Sequence, residues 1–214
     1  MKFTFLIYSC VGLLWSTTTS STEMNYGHFE GAVKVEWVRG SGDEKRMKLL
    51  DDVVYVDPQG KKWVAQKGYE TDGASIPQVF WSIIGGSFDG QYREAAVIHD
   101  WYCFSKIEPW RDVHRIFYYA NRAAGVSEIK SKILYMAVRV GGPKWGDNKS
   151  KCYNNCHVEI NNYKLDNKGV LVNTPPVSED EAKKISQWVS EKNPTLEEIE
   201  GYVNSNYPDS NFGH

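Results

Sequence analysis

Between residues 70 and 77 the hydrophobic pattern of this chain changes period, and that change sets the fold class more firmly than any motif does. Before it, the pattern is that of strands. In FEGAVKVEWV, Val33, Val35 and Trp37 alternate with Lys34 and Glu36, as in a half-buried strand whose three apolar residues face inward. VVYVDPQGKKWVA then gives two short β runs around a turn at Asp57-Pro58-Gln59-Gly60, with Pro and Gly where turn geometry favours them. After the change, the spacing is helical. Tyr92, Ala95, Ala96, His99, Tyr102 and Cys103 fall on one face of a helix predicted over 91–104. A second helix is predicted over 110–123. A third runs from Glu128 to Val140, with Ser127 as N-cap and Gly141-Gly142-Pro143 as its stop. Residues 143–177 read as loop with a hairpin. Beyond Pro175-Pro176, Ser178-Glu179-Asp180-Glu181 and Thr195-Leu196-Glu197-Glu198 each open a short helix with a capping box. The expectation is an α+β fold: a small antiparallel sheet, a helical core and a C-terminal pair of short helices.

The first 21 residues point to export. Lys2, an apolar run FTFLIYSCVGLLW and a Ser/Thr exit have the order of a secretory signal peptide. The run is shorter than the roughly 20 residues that span a bilayer. An uncleaved N-terminal anchor and, at Cys10, a lipoprotein cleavage box are the alternatives. The expected division is a leader over 1–21, one α+β domain over 22–177 and an acidic helical tail over 178–214. The mature protein is then periplasmic or extracellular, with no membrane span.

Export changes how the cysteines read. Removing Cys10 leaves Cys103, Cys152 and Cys156, an odd number in an oxidising compartment. A Cys152–Cys156 disulfide with Cys103 as a buried free thiol is the favoured reading, with a bridge from Cys103 to one of the pair as the alternative. A metal knuckle of Cys152, Cys156 and His157 lacks a second ligand pair at the usual spacing.

Charge argues against nucleic acid. Without the leader there are 24 basic and 27 acidic residues. Residues 178–214 hold three of those bases and eight of the acids, so residues 22–177 carry only +2, too little for an electrostatic footprint on a phosphate backbone. The basic segment KWGDNKSK could touch anionic envelope polymers, although a solvated loop is the better account of it. Gly85-Gly86 lacks the ending of a phosphate-binding loop.

Residues able to do chemistry gather between 70 and 145. In YETDGASIPQVFW, Asp72 is either part of a structural corner or a carboxylate at a helix N-terminus; Ser75 can cap a helix beginning near Pro77, and lacks the surroundings of a nucleophile. In REAAVIHDWYC, small Ala95 and Ala96 allow close approach, and His99 and Asp100 project about 100° apart. PWRDVHRIF places His114 on the next helix. A short turn near 106–109 makes these helices neighbours, so that His99 and His114 can approach one another.

TDGASIP, AAVIHDWY, R-x-x-H-x-x-F and LYMAVRVGG, taken in order, resemble a domain-of-unknown-function family of bacterial and phage proteins, DUF1353. The resemblance covers about residues 50–146 and implies a common fold unit without promising an activity. The family's third block usually carries an Ala-Asp pair where this chain has Val113-His114. Asp and His share metal ligation and proton handling, so the exchange points toward a metal or acid/base site.

The leading expectation is therefore a metal-dependent hydrolase acting on a cell-envelope polymer or peptide. His99, His114 and Asp72 would hold a divalent ion, zinc first, that activates water; Asp100 or Asp72 would act as base. Arg139 would steady an anionic intermediate or, in a structural role, pair with Asp100 or Glu94. Two readings compete with this one. HDWYC is locally similar to the His-Asp-x-x-Tyr helix of secreted phospholipases A2, although the glycine-rich calcium loop and dense disulfides are missing. Alternatively the protein is a non-enzymatic envelope or phage-associated module, with His99, Asp100 and His114 as a buried polar network. The first reading places the histidines in an accessible pocket; the last buries and satisfies them.

Overall fold

Among the described residues, six short strands are followed by six α-helices, with no strand after residue 71. The computed structural model describes residues 24–39, 45–71, 76–85, 90–145 and 177–207. The leader, Asp72, Ser75, Cys152, Cys156 and His157 lie outside them.

The strands are β1 (His28–Glu30), β2 (Val35–Arg39), β3 (Lys45–Leu49), β4 (Val53–Val56), β5 (Lys62–Ala65) and β6 (Glu70–Thr71). They form two three-stranded antiparallel sheets, ordered β1-β4-β5 and β2-β3-β6, where a single small sheet was expected. The β4–β5 turn lies where Asp57-Pro58-Gln59-Gly60 predicts it. One carboxylate organises it: Asp57 Oδ1 accepts from the backbone N–H of Gln59 and Lys61, and Oδ2 from Trp63 Nε1, each at 2.9 Å. Gly60 takes φ +85°, which a side chain would strain. Trp37 departs from the alternation. It pairs with buried Met47, yet is 64% exposed, because β2 is the outer strand of its sheet and Trp37 has β3 on one side only.

The helices are α1 (Trp81–Ile84), α2 (Arg93–Ser105), α3 (Trp110–Ala123), α4 (Glu128–Gly141), α5 (Glu179–Lys192) and α6 (Leu196–Asn206). Helix α2 is central. It packs on β4, β5 and β6 on one side and on α3 on the other, so every residue from Ala95 to Cys103 is buried and the expected single inner face becomes a helix enclosed all round. It ends at Lys106, which adopts the left-handed conformation and donates its N–H to the Tyr102 carbonyl. Ser127 occupies the N-cap position of α4, but its side chain accepts no capping hydrogen bond.

Helices α5 and α6 cover the outside of α4. Thr195 and Glu198 exchange both bonds of a capping box, and Ser178 accepts from Glu181 N–H. Ile185, Val189, Ile199 and Val203 join the same hydrophobic core as α2–α4. Polar contacts fasten the joint: Arg115 pairs with Glu197 and Glu200, Tyr135 Oη donates to Glu200 at 2.6 Å, and Lys132 donates to Asn193 Oδ1 at 2.6 Å. Among the described residues no helix is long and apolar enough to cross a membrane.

Candidate functional site

Two neighbouring helices bring their histidines face to face. His99 Nε2 lies 3.3 Å from His114 Nδ1, with the ring planes inclined at 63°. His114 Nε2 lies 2.8 Å from the Pro143 carbonyl oxygen just past the end of α4. A carbonyl can only accept, so Nε2 carries the His114 proton and Nδ1 is left as an acceptor. His99 must then donate from Nε2, which leaves its Nδ1 to accept. The thiol of Cys103, one turn further along α2, is 3.7 Å from that nitrogen. Protons thus run in one direction from His99 to His114 to Pro143, with the Cys103 thiol packed beside the His99 ring.

The walls are aromatic and tight. Phe117 lies against His99 with ring centroids 4.6 Å apart, and Trp110 meets His114 nearly edge-on at 5.4 Å. Gly142 makes room on the fourth side: a Cβ there would sit 2.8 Å from His114 Cε1 and 2.4 Å from the Val138 carbonyl oxygen. The sequence marks Gly142 as a helix stop; the structure adds this close approach.

Burial decides the charge states. His99 is 1% and His114 0% exposed. Loss of solvation pushes the His99 pKa down to about 3. It also pushes His114 well below the ordinary histidine value; His99 and the charges of Arg139 and Lys144 act the same way, and the Pro143 bond opposes them. Burial raises the Cys103 thiol well above its usual value, with the Asp100 charge adding to the effect. At neutral pH both rings are uncharged and the thiol keeps its proton.

The other singled-out residues point elsewhere. Asp100 turns away from the histidines toward the strands, where its Oδ2 accepts from Tyr69 Oη and Thr71 Oγ1, each at 2.7 Å. This bond ties α2 to β6. Arg139 lies buried over the Trp110 ring, 4.7 Å from its centroid, and Nη2 donates to Asn204 Oδ1 at 3.4 Å. Among the described residues it forms neither of the expected ion pairs, with Asp100 or with Glu94. The reason is direction: Arg139 faces α3 and α6, whereas Asp100 faces the sheet. Asp72, the expected third ligand and base, lies outside the described residues.

For a metal, the described residues supply two nitrogens aimed at each other across one shared proton. Cys103 Sγ reaches both His99 nitrogens about equally, at 3.6 and 3.7 Å, so it stands beside the ring rather than on the in-plane axis of either. Among the described residues no group of three or more His, Cys, Asp or Glu side chains is placed to hold an ion. Pro143 and Gly142 are the members of this cluster that sequence reasoning missed as such. The spacing of four between His99 and Cys103 on one helix was the available signal for the thiol.

From β3 to the last turns of α4, the element order and the motif blocks lie within a stretch that a family model also recognises. Residues 47–138 match DUF1353, described as a protein of unknown function. The DUF1353 match starts three residues before the expected boundary and stops eight before it, so His99, Cys103 and His114 fall inside and Arg139 and Pro143 outside. Uncharacterized protein y4jT of Sinorhizobium fredii is 51% identical over 98 residues, which is 46% of this chain and 29% of that protein. Uncharacterized protein y4iH of the same organism is 42% identical over 105 residues, 49% of this chain and 44% of that one. The chain thus spans less than half the length of either relative. No solved structure matches.

Proposed function

We propose that the DUF1353-like unit is a non-enzymatic binding module of an exported protein, its partner a cell-envelope polymer or peptide. The observation that carries this reading is the buried proton chain His99–His114–Pro143, with the Cys103 thiol packed beside the His99 ring and neither ring reaching solvent. A water-activating base must reach its water, and a metal ligand must free its lone pair. Here both histidines spend those capacities on joining α2, α3 and the end of α4, and Asp100 spends its own on the sheet. That is the work of a framework. Exposed Trp37 and Trp81 supply flat apolar surface of the kind that meets sugars and peptides.

Zinc titration of the purified leaderless protein, followed by thermal shift and metal analysis, separates this reading from the hydrolase. The expected result is no stoichiometric zinc, together with a loss of stability in His114→Asn that zinc does not alter. Stoichiometric zinc lost in His114→Asn would overturn the framework reading in favour of a metal centre completed by Asp72. Hydrolysis of phospholipid vesicles with calcium would overturn it in favour of the phospholipase-like alternative. Co-sedimentation with isolated cell-wall polymer tests the binding half.

A further inference from the structure

Among the described residues β2 pairs with β3 alone, which leaves it the outer strand of its sheet. The ladder tells which of its backbone groups face outward. Leu50 N–H donates to the Lys34 carbonyl at 2.9 Å, one step along the register from the Val35–Leu49 pair. Hydrogen-bonded and non-bonded positions alternate in an antiparallel pair. Lys34, Glu36 and Val38 therefore turn their N–H and C=O groups to β3, and Val35, Trp37 and Arg39 turn theirs away from it. The next strand agrees: Leu49 N–H donates at 2.9 Å to the Tyr69 carbonyl, on the other side of β3.

Outer strands are commonly blunted by Pro, Lys or a bulge. β2 has none of these: it reads VEWVR, its five residues keep unbroken register with β3, and Glu36 and Arg39 cancel in charge. Trp37, at its centre, is 64% exposed. A further strand along β2 would cover that indole from the side away from β3.

What fits this edge is β2 itself. An antiparallel copy, related by a two-fold axis through Trp37, uses the whole strand. Trp37 then stands opposite Trp37, Val35 opposite Arg39, and Glu36 opposite Val38, so no charge faces a like charge across the strands. The outward groups of residues 35, 37 and 39 meet in this register as hydrogen-bonded pairs. Glu36 is already opposite Lys48 within its own sheet. Moving the axis one residue back sets two glutamates face to face; moving it one residue on leaves Val35 and Glu36 with no strand residue opposite.

We propose that β2 is a self-association edge, through which two copies of this chain join antiparallel about Trp37 into one six-stranded sheet, β6-β3-β2-β2-β3-β6. Such a contact is isologous, the commonest arrangement of two identical chains. It does not rest on the framework reading, because it leaves the histidine pair untouched. It also sets two indoles side by side on one face, a larger flat surface than either copy offers alone. A five-residue strand and one indole from each copy bury less than the roughly 1,200 Å² of a small stable interface, so the dimer is weak and concentration-dependent.

Sedimentation velocity of the purified protein, from about 1 µM to about 1 mM, tests it. The expected result is a monomer that gives way to a dimer as concentration rises. Trp37→Lys and Trp37→Glu each set like charges face to face at the centre and should weaken dimerisation about tenfold or more. Mixed in equal amounts, the two variants should recover it, because Lys then meets Glu; mere loss of an apolar surface would give no recovery. Val35→Pro removes an N–H that points away from β3, so it should keep the fold and still weaken the dimer. Met24→Lys, at an exposed apolar residue ahead of β1, should associate as the wild type does. A wild type that stays monomeric across the range, a dimer that survives both substitutions at residue 37, or a mixture without recovery would each overturn the proposal.

Discussion

His114 donates its one ring proton to the carbonyl of Pro143 at 2.8 Å, and through that bond the chain just past α4 fixes the tautomer of His99. The sequence places these groups on three separate segments, and the fold makes their protonation one property.

Acid should weaken the protein through this pair. Both histidines have folded pKa values below the unfolded value of 6.5, His99 at about 3. Below pH 6.5 the unfolded chain takes up protons that the folded one refuses, so stability is fully present above 6.5 and is lost as pH falls from there toward 3. Each histidine contributes a slope of up to about 1.4 kcal/mol per pH unit in that window. Urea denaturation at pH 7.5, 6, 5 and 4 measures it. His114→Asn should start less stable and show a shallower slope; an equal slope would refute the assignment.

A methyl group at residue 142 should be costly. Its contacts would be the Val138 carbonyl oxygen and the His114 ring, and neither is the free end of a flexible chain. Gly142→Ala should lose about 1–3 kcal/mol, the usual range for overpacking. Gly201→Ala is the matched control: it lies within α6 with nothing near its Cβ, and should gain about 0.5–1 kcal/mol. Denaturant midpoints of the two variants should move in opposite directions.

Removing the Asp100 carboxylate should loosen α2 from β6. Asp100→Ala takes the shared acceptor from Tyr69 and Thr71 and should cost about 1–3 kcal/mol. Asp100→Asn keeps one oxygen able to accept both bonds and should cost less. The order of the two denaturation midpoints checks the claim, and equal losses would contradict it.

Cys103 should be inert until the protein unfolds. Its thiol is buried and held in the protonated form. Iodoacetamide at pH 8, followed by mass spectrometry of the peptide carrying Cys103, should show modification only in denaturant. Rapid labelling of the native protein would show that α2 opens.

The helices were legible because their punctuation is local. Gly141-Gly142-Pro143 and the Thr195 box sit where helices stop and start, and the predicted spans 110–123 and 128–140 agree with α3 and α4 to within a residue. The meeting of His99 and His114 also followed from a short turn between two helices. Their chemistry did not follow, because burial and the direction of a proton depend on Pro143 and Gly142, which approach from another helix end. Trp37 was misplaced for a similar reason: alternation tells which residues share a face, but not where the sheet ends. The split into two sheets lay beyond the pattern altogether, since pairing β1 with β4 across the intervening hairpin leaves no mark on either strand alone.

The enclosure of α4 bears on the relatives. From Ser131 to Val140 every residue of that helix is buried, and α5 and α6 provide much of the cover. Both helices lie past residue 138, where the DUF1353 match stops. A relative that keeps this stretch keeps a helix whose outer side, with Lys132, Tyr135 and Arg139 in this chain, is built to be covered. The relatives have ample chain to cover it, because more than half of each lies outside the similarity. What varies across such proteins would then be the roof over α4, and a domain transplanted without its own roof should aggregate through that exposed side.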